Sequence, residues 1–143
     1  MSSGSDLNRL IKLHIGAFNC PADGWVNTDI TPHIWISKIP LAAKLLYVMG
    51  KMTRERLTEH ELGVFRRLKY LDITKPLPFA NGSVAAVFSS HVFEHLFMDE
   101  VYRLVHEIHR ILVPGGVCRV VVPDLERIVA AFGQTRQVYS RYV

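Results

Sequence analysis

The residues best able to do chemistry in this chain all stand where an apolar run stops. Gly16 follows Leu10–Ile15, Asp29 ends Gly24–Ile30, and Asp72 lies in Tyr70–Ile73. Ser90, His91, Glu94 and His95 cluster just beyond the small-apolar run Ser83–Ser89. A glycine after a strand lets the backbone approach a bound group, although any tight turn can use one. Asp29 can accept hydrogen bonds from ribose hydroxyls, or stand solvated. Asp72 can accept from a nucleobase amino group, or hold an Asx turn ahead of Pro76.

His91-Val-Phe-Glu94-His95 also has the residue order of inverted zinc peptidases, whose histidines share one helical face. Here the run starts at the end of a buried strand. That placement favours Glu94 and His95 as groups that cap and pack the next helix, and no metal site is expected. His106 and His109 read as surface positions.

These residues need a scaffold that brings strand ends together. Tyr70–Ile73, Ser83–Ser89 and Val117–Val122 are short apolar runs of the kind buried in parallel sheets. Asp99–Leu112 is the clearest helix, with Val101, Leu104, Val105, Ile108, Ile111 and Leu112 at helical spacing. Acids open that helix, His109 and Arg110 close it, and Pro114-Gly115-Gly116 is expected to end it. A last helix is expected over about Leu125–Phe132. Strands alternating with helices mean an α/β sheet with right-handed crossovers, with ligands bound beyond the carboxyl ends of the strands. About eight residues separate the first two strands, short of the ~10–12 that a helical crossover needs. Either a single helical turn near Pro21 fills that gap, or a strand boundary moves.

Residues 31–69 form a long helical insertion. Pro40 is placed to open a helix ending at Gly50, and Thr53–Leu68 reads as a second, with Leu57, Leu62, Val64 and Phe65 as core contacts. Long excursions on the ligand side of a sheet are more often lids or binding elements than filler.

The whole chain, residues 1–143, reads as a single domain; at 49% hydrophobic and 21% charged it can bury a core. Two cysteines, Cys20 and Cys118, form no disulfide framework and fit a reducing cytoplasm, with Cys118 expected in the core. The net charge of +4 is spread over a solvated helix face rather than gathered into a nucleic-acid patch. Ile39–Gly50, the longest apolar stretch, is broken by Lys44 and too short to span a bilayer.

Taken together, Lys12-Leu-His-Ile-Gly16, Gly24-Trp-Val-Asn-Thr-Asp29, Asp72-Ile-Thr-Lys-Pro-Leu-Pro-Phe79, Ser89-Ser-His-Val-Phe-Glu-His-Leu96, Arg110-Ile-Leu-Val-Pro-Gly-Gly116 and Val121-Val-Pro-Asp-Leu-Glu126 resemble the class I S-adenosylmethionine-dependent methyltransferases of the bacterial type 11 kind. The resemblance covers about residues 10–130 outside the insertion. It implies a Rossmann-like parallel sheet in the order 3-2-1-4-5, lacking the usual last two strands, with S-adenosylmethionine as cofactor. It places the methionine moiety near Gly16 and Ala17, the ribose on Asp29, and the adenine near Asp72 and Ile73. Ser90 and His91 would face the sulfonium and a small-molecule or glycan-like acceptor, with His91 as the catalytic base where the acceptor must lose a proton. The missing strands point to a fragment, or to an exposed sheet edge that a second copy of the chain covers.

Two positions depart from the family pattern. Phe18 stands where a glycine is usual, and Ser83-Val84-Ala85 lacks the usual acid. The first departure supports an alternative, a non-catalytic module that keeps the fold but not tight cofactor binding.

Overall fold

The computed structural model describes residues 10–139, with side chains as far as residue 132. Its strands are β1 (Ile11–Ile15), β2 (Val26–Asp29), β3 (Leu68–Tyr70), β4 (Val84–Ser90) and β5 (Leu112–Val121). They form one all-parallel sheet in the order β3-β2-β1-β4-β5. The strand order reverses between β1 and β4, which is where such sheets open a crevice at their carboxyl ends. Register brings those ends level: Ile15 pairs with Thr28 on one side and Ser89 on the other, and Asp29 pairs with Tyr70.

One face of the sheet is packed by α4 (Met98–Ile111). Its apolar stripe buries Leu104, Ile108 and Ile111 against Leu13, Ile15, Val84 and Val87. Each such side chain contributes about 1.5–3 kcal/mol by leaving water. Val105 falls off the buried arc and is exposed, as are His106 and His109. At the start of α4, Glu100 accepts the Phe97 amide at 2.9 Å, satisfying a donor that the helix itself cannot. Near its end Arg110 pairs with Glu107 and also donates to the Leu77 and Phe79 carbonyls. That pair clips the Pro-rich turn before β4 onto the helix.

Between β2 and β3 the chain forms α1 (His33–Ile36), α2 (Ala42–Val48), α3 (Arg54–Glu61) and a 3-10 turn at Val64–Arg67. Thr53 caps α3, its hydroxyl accepting from the Arg56 amide. The expected helix to Leu68 is cut short because Gly63 takes φ of 72°, and Leu68 is already strand. Phe65 is fully buried with Ile34, Ala17 and Leu68, but Leu62 faces solvent and His60 fills the inner position instead.

Other boundaries shift. Residues 16–25 are turns, with no helix between β1 and β2, because the link is too short to hold one. Asp72 lies two residues past β3 rather than closing it, and Ser90 is still strand. Pro114-Gly115-Gly116 does not end α4 in a loop. It sits inside β5, where the register against β4 slips between Val84 and Ala86. Proline is tolerated there because β5 is an edge strand. The same edge position leaves Cys118 exposed rather than in the core. The last helix, α5, runs Leu125–Tyr139.

Candidate functional site

A cavity of about 490 Å³ opens beyond the carboxyl ends of β1 and β2. Gly16, Asp29, Asp72, Ile73 and His91 all line it. Ala17 and Ser90 do not. Ala17 is buried under the insertion beside Phe65, and Ser90 remains on β4 outside the cavity lining. Val92, His95, Leu96 and Glu100 complete one wall.

Gly16 has φ of 71°, a conformation that costs little only without a Cβ. Space imposes the same choice: a Cβ there would stand 2.2 Å from Val92 Cγ2. The wall made by the segment after β4 therefore closes directly onto this turn.

Asp29 is held from two sides. Its Oδ2 accepts the Phe18 amide at 3.1 Å and its Oδ1 accepts the Thr31 amide at 2.7 Å. A carboxylate has about four lone-pair positions, so about two stay available to a ligand. Phe18 lies outside the cavity lining. Its ring packs toward Phe65 at 6.2 Å and under the Arg56 guanidinium at 4.5 Å. Asn19 ties the same turn to α3 through Glu59 at 2.9 Å.

Asp72 closes an Asx turn. Its Oδ1 accepts from the Thr74 amide at 3.1 Å and hydroxyl at 2.6 Å, and its Oδ2 meets Lys75 at 3.0 Å. The Thr74 hydroxyl and Lys75 hold this carboxyl down to about 2. Ligand binding and the Asx turn use the same oxygens, so the turn leaves Asp72 fewer free lone pairs than Asp29.

Opposite the acids, His91 adopts φ of 55°, which bulky residues rarely tolerate. Its Nδ1 lies 3.2 Å from Glu94 Oε1. Glu94 and His95 fall on a 3-10 turn, Phe93–His95, so His91 and His95 do not share an α-helical face as a zinc-peptidase pair would. Val92, Leu96, Glu100 and the Phe18 amide are among the site features that sequence reasoning overlooked. The first two are apolar residues inside a polar cluster, and a backbone N–H leaves no mark in the sequence.

A parallel sheet with this strand order, opening a cavity at its switch point between two acids and a glycine turn, defines a Rossmann-like fold class. A family model described as a methyltransferase domain matches residues 42–120. That is more than half of the chain, and the chain belongs to this family, the class I methyltransferases. The matched segment runs from α2 through nearly all of β5 and does not include β1 or β2. No curated protein matches the chain.

Proposed function

We propose that this chain transfers a methyl group from S-adenosylmethionine to a small-molecule or glycan-like acceptor. The observation that carries this reading is the convergence of Gly16, Asp29, Asp72 and His91, from four separate segments, on one cavity.

The residues present suit that cofactor. Asp29 has acceptor capacity left for ribose hydroxyls, Ile73 offers an apolar wall for a base, and Gly16 keeps the backbone low beside the amino-acid end. When bound, the cofactor supplies a methyl group on a cationic sulfur, open to direct displacement. Alignment of the acceptor is then the main contribution of the protein. In our reading His91 receives the acceptor's proton. Glu94 accepts from Nδ1–H of His91, which leaves Nε2 as the basic nitrogen and stabilises the ring once protonated.

The reading extends to the rest of the molecule. Residues 10–132 act as one unit with the insertion folded onto it, β5 offers an edge for a second copy, and two exposed, unpaired cysteines suit a reducing cytoplasm.

Calorimetric titration with S-adenosylhomocysteine tests the core of the proposal. Micromolar affinity that weakens in Asp29→Ala by about 1–3 kcal/mol is the expected result. Absence of heat at millimolar ligand would mean that the cavity serves a non-catalytic module.

A further inference from the structure

The apolar stretch Ile39–Gly50 is not used by the cofactor cavity, and the fold treats it unusually. An amphipathic helix of a globular protein normally turns its apolar stripe inward. On α2 the stripe is turned outward. Leu41, Leu45, Val48 and Met49 recur at the spacing of one helical face, and they are 73%, 61%, 81% and 59% exposed. No residue of α2 is buried. Packing accounts for the half-buried Ala42, Ala43, Leu46 and Tyr47, but not for this outer stripe. Leu41 is even held in the left-handed region, with φ of 62°, at the point where α2 begins. Ile39 extends the same surface, 61% exposed.

Charge indicates what covers this face. Residues 30–54 contain Lys38, Lys44, Lys51 and Arg54 and not a single Asp or Glu. Asp29 and Glu55 bound this window on either side, and Lys44 lies 4.0 Å from Glu61. A second copy of the chain would bring the same four cations against each other. An anionic lipid surface offers the opposite charge around an apolar layer into which leucine, valine and methionine can sink. Lysine stems can lie along that layer with their ammonium groups in the headgroup region. By contrast, the outward apolar residues of α5, Leu125, Ile128 and Val129, stand beside Asp124 and Glu126, so charge selects no anionic partner there. Among the described residues no helix is long and apolar enough to cross a membrane, which leaves lying on it.

We propose that α2 and its basic flanks form a docking surface for anionic membranes, with Leu41, Leu45, Val48 and Met49 entering the interface. This inference does not depend on the cofactor or the acceptor, and its test needs neither.

The whole chain is mixed with sedimentable vesicles of phosphatidylcholine, with or without about 30% phosphatidylglycerol. Binding is expected to the anionic vesicles, to be weaker on the neutral ones, and to fall in about 0.5 M salt. Leu45→Asp with Val48→Asp is expected to weaken binding about tenfold or more. Both positions are exposed, so the melting curve of that variant should match the parent. Ile128→Asp with Val129→Asp should bind as the parent does. The proposal fails if the parent chain ignores anionic vesicles, or if the α2 variant binds them equally well. It fails equally if the α2 variant merely converts a dimer into a monomer, since a second copy would then be the occupant.

Discussion

The backbone amide of Phe18 donates to the carboxylate of Asp29 across the mouth of the first strand turn, at 3.1 Å. Phe18 itself holds φ of 40°, in the region that glycine favours, and this main-chain bond helps fix it there. The main chain supports the acid, and the ring leaves the cavity for the space between Arg56 and Phe65. Shortening the side chain should therefore open nothing. Phe18→Gly is expected to keep S-adenosylhomocysteine affinity within about threefold by calorimetry, with little net change in stability, because relief of the positive φ offsets the lost ring contacts. A large gain in affinity would show that the ring obstructs the site.

Gly16 is constrained twice, by its positive φ and by Val92. Gly16→Ala should cost about 1–3 kcal/mol in urea unfolding. Adding Val92→Ala to that variant should restore the part owed to the clash and leave the part owed to backbone strain. A strictly additive pair of losses would argue that the two residues do not touch.

The two acids should differ in importance. Asp29 keeps free lone pairs, whereas Asp72 is largely committed to Thr74 and Lys75. Asp72→Asn should weaken nucleoside binding less than Asp29→Ala does, by calorimetry under one buffer condition. Its larger effect should be on acid stability. A carboxyl held at about 2 when folded contributes stability that is present above its unfolded value near 4 and lost as pH falls toward 2. Asp72→Asn should flatten that acid limb of the unfolding curve.

A second pH effect lies closer to neutrality, inside the insertion. His33 Nδ1 sits 2.9 Å from His60 Nε2, both rings pack on Phe65, and the buried His60 Nδ1 has no protein partner. Burial lowers both imidazoles, and each is lowered further by the charge of Arg56, against a smaller opposing pull from Glu59. The neutral rings are thus the folded forms. Stability is full above the unfolded value near 6.5 and declines as pH drops below it. Denaturation at pH 7.5 and 5.5 should show this loss, and His60→Leu should reduce the difference between the two. An unchanged difference would place the titrating group elsewhere.

In the proposed reaction Glu94 acts through His91. Glu94→Gln should leave S-adenosylhomocysteine binding within about twofold and lower the methyl-transfer rate about tenfold or more. Nitrogen-15 NMR of the neutral His91 ring reads the cause directly. The proton should sit on Nδ1 in the parent and redistribute between the nitrogens in the variant.

The sequence alone determined the class of fold and the ends of β1 and β2, whereas β3 and β4 end elsewhere than their apolar runs suggest. Apolar runs at Ile11–Ile15 and Val84–Ser90, and the stripe Leu104, Ile108, Ile111, state their own periods, because burial in a parallel sheet or on one helix face needs little information beyond side-chain polarity. Gly16, Asp29 and His91 were visible as candidates for the same reason, being polar or glycine where apolar runs stop. Only the tertiary structure decided where Phe18 turns and that Ala17 and Ser90 stay outside the cavity. Those outcomes depend on hydrogen bonds and contacts with residues distant in the chain, such as Arg56, Phe65 and Thr28, and local pattern carries no record of them. The outward stripe of α2 belongs with these. Its spacing is written in the sequence, but whether a stripe faces the core or the solvent depends on what the rest of the chain leaves room for.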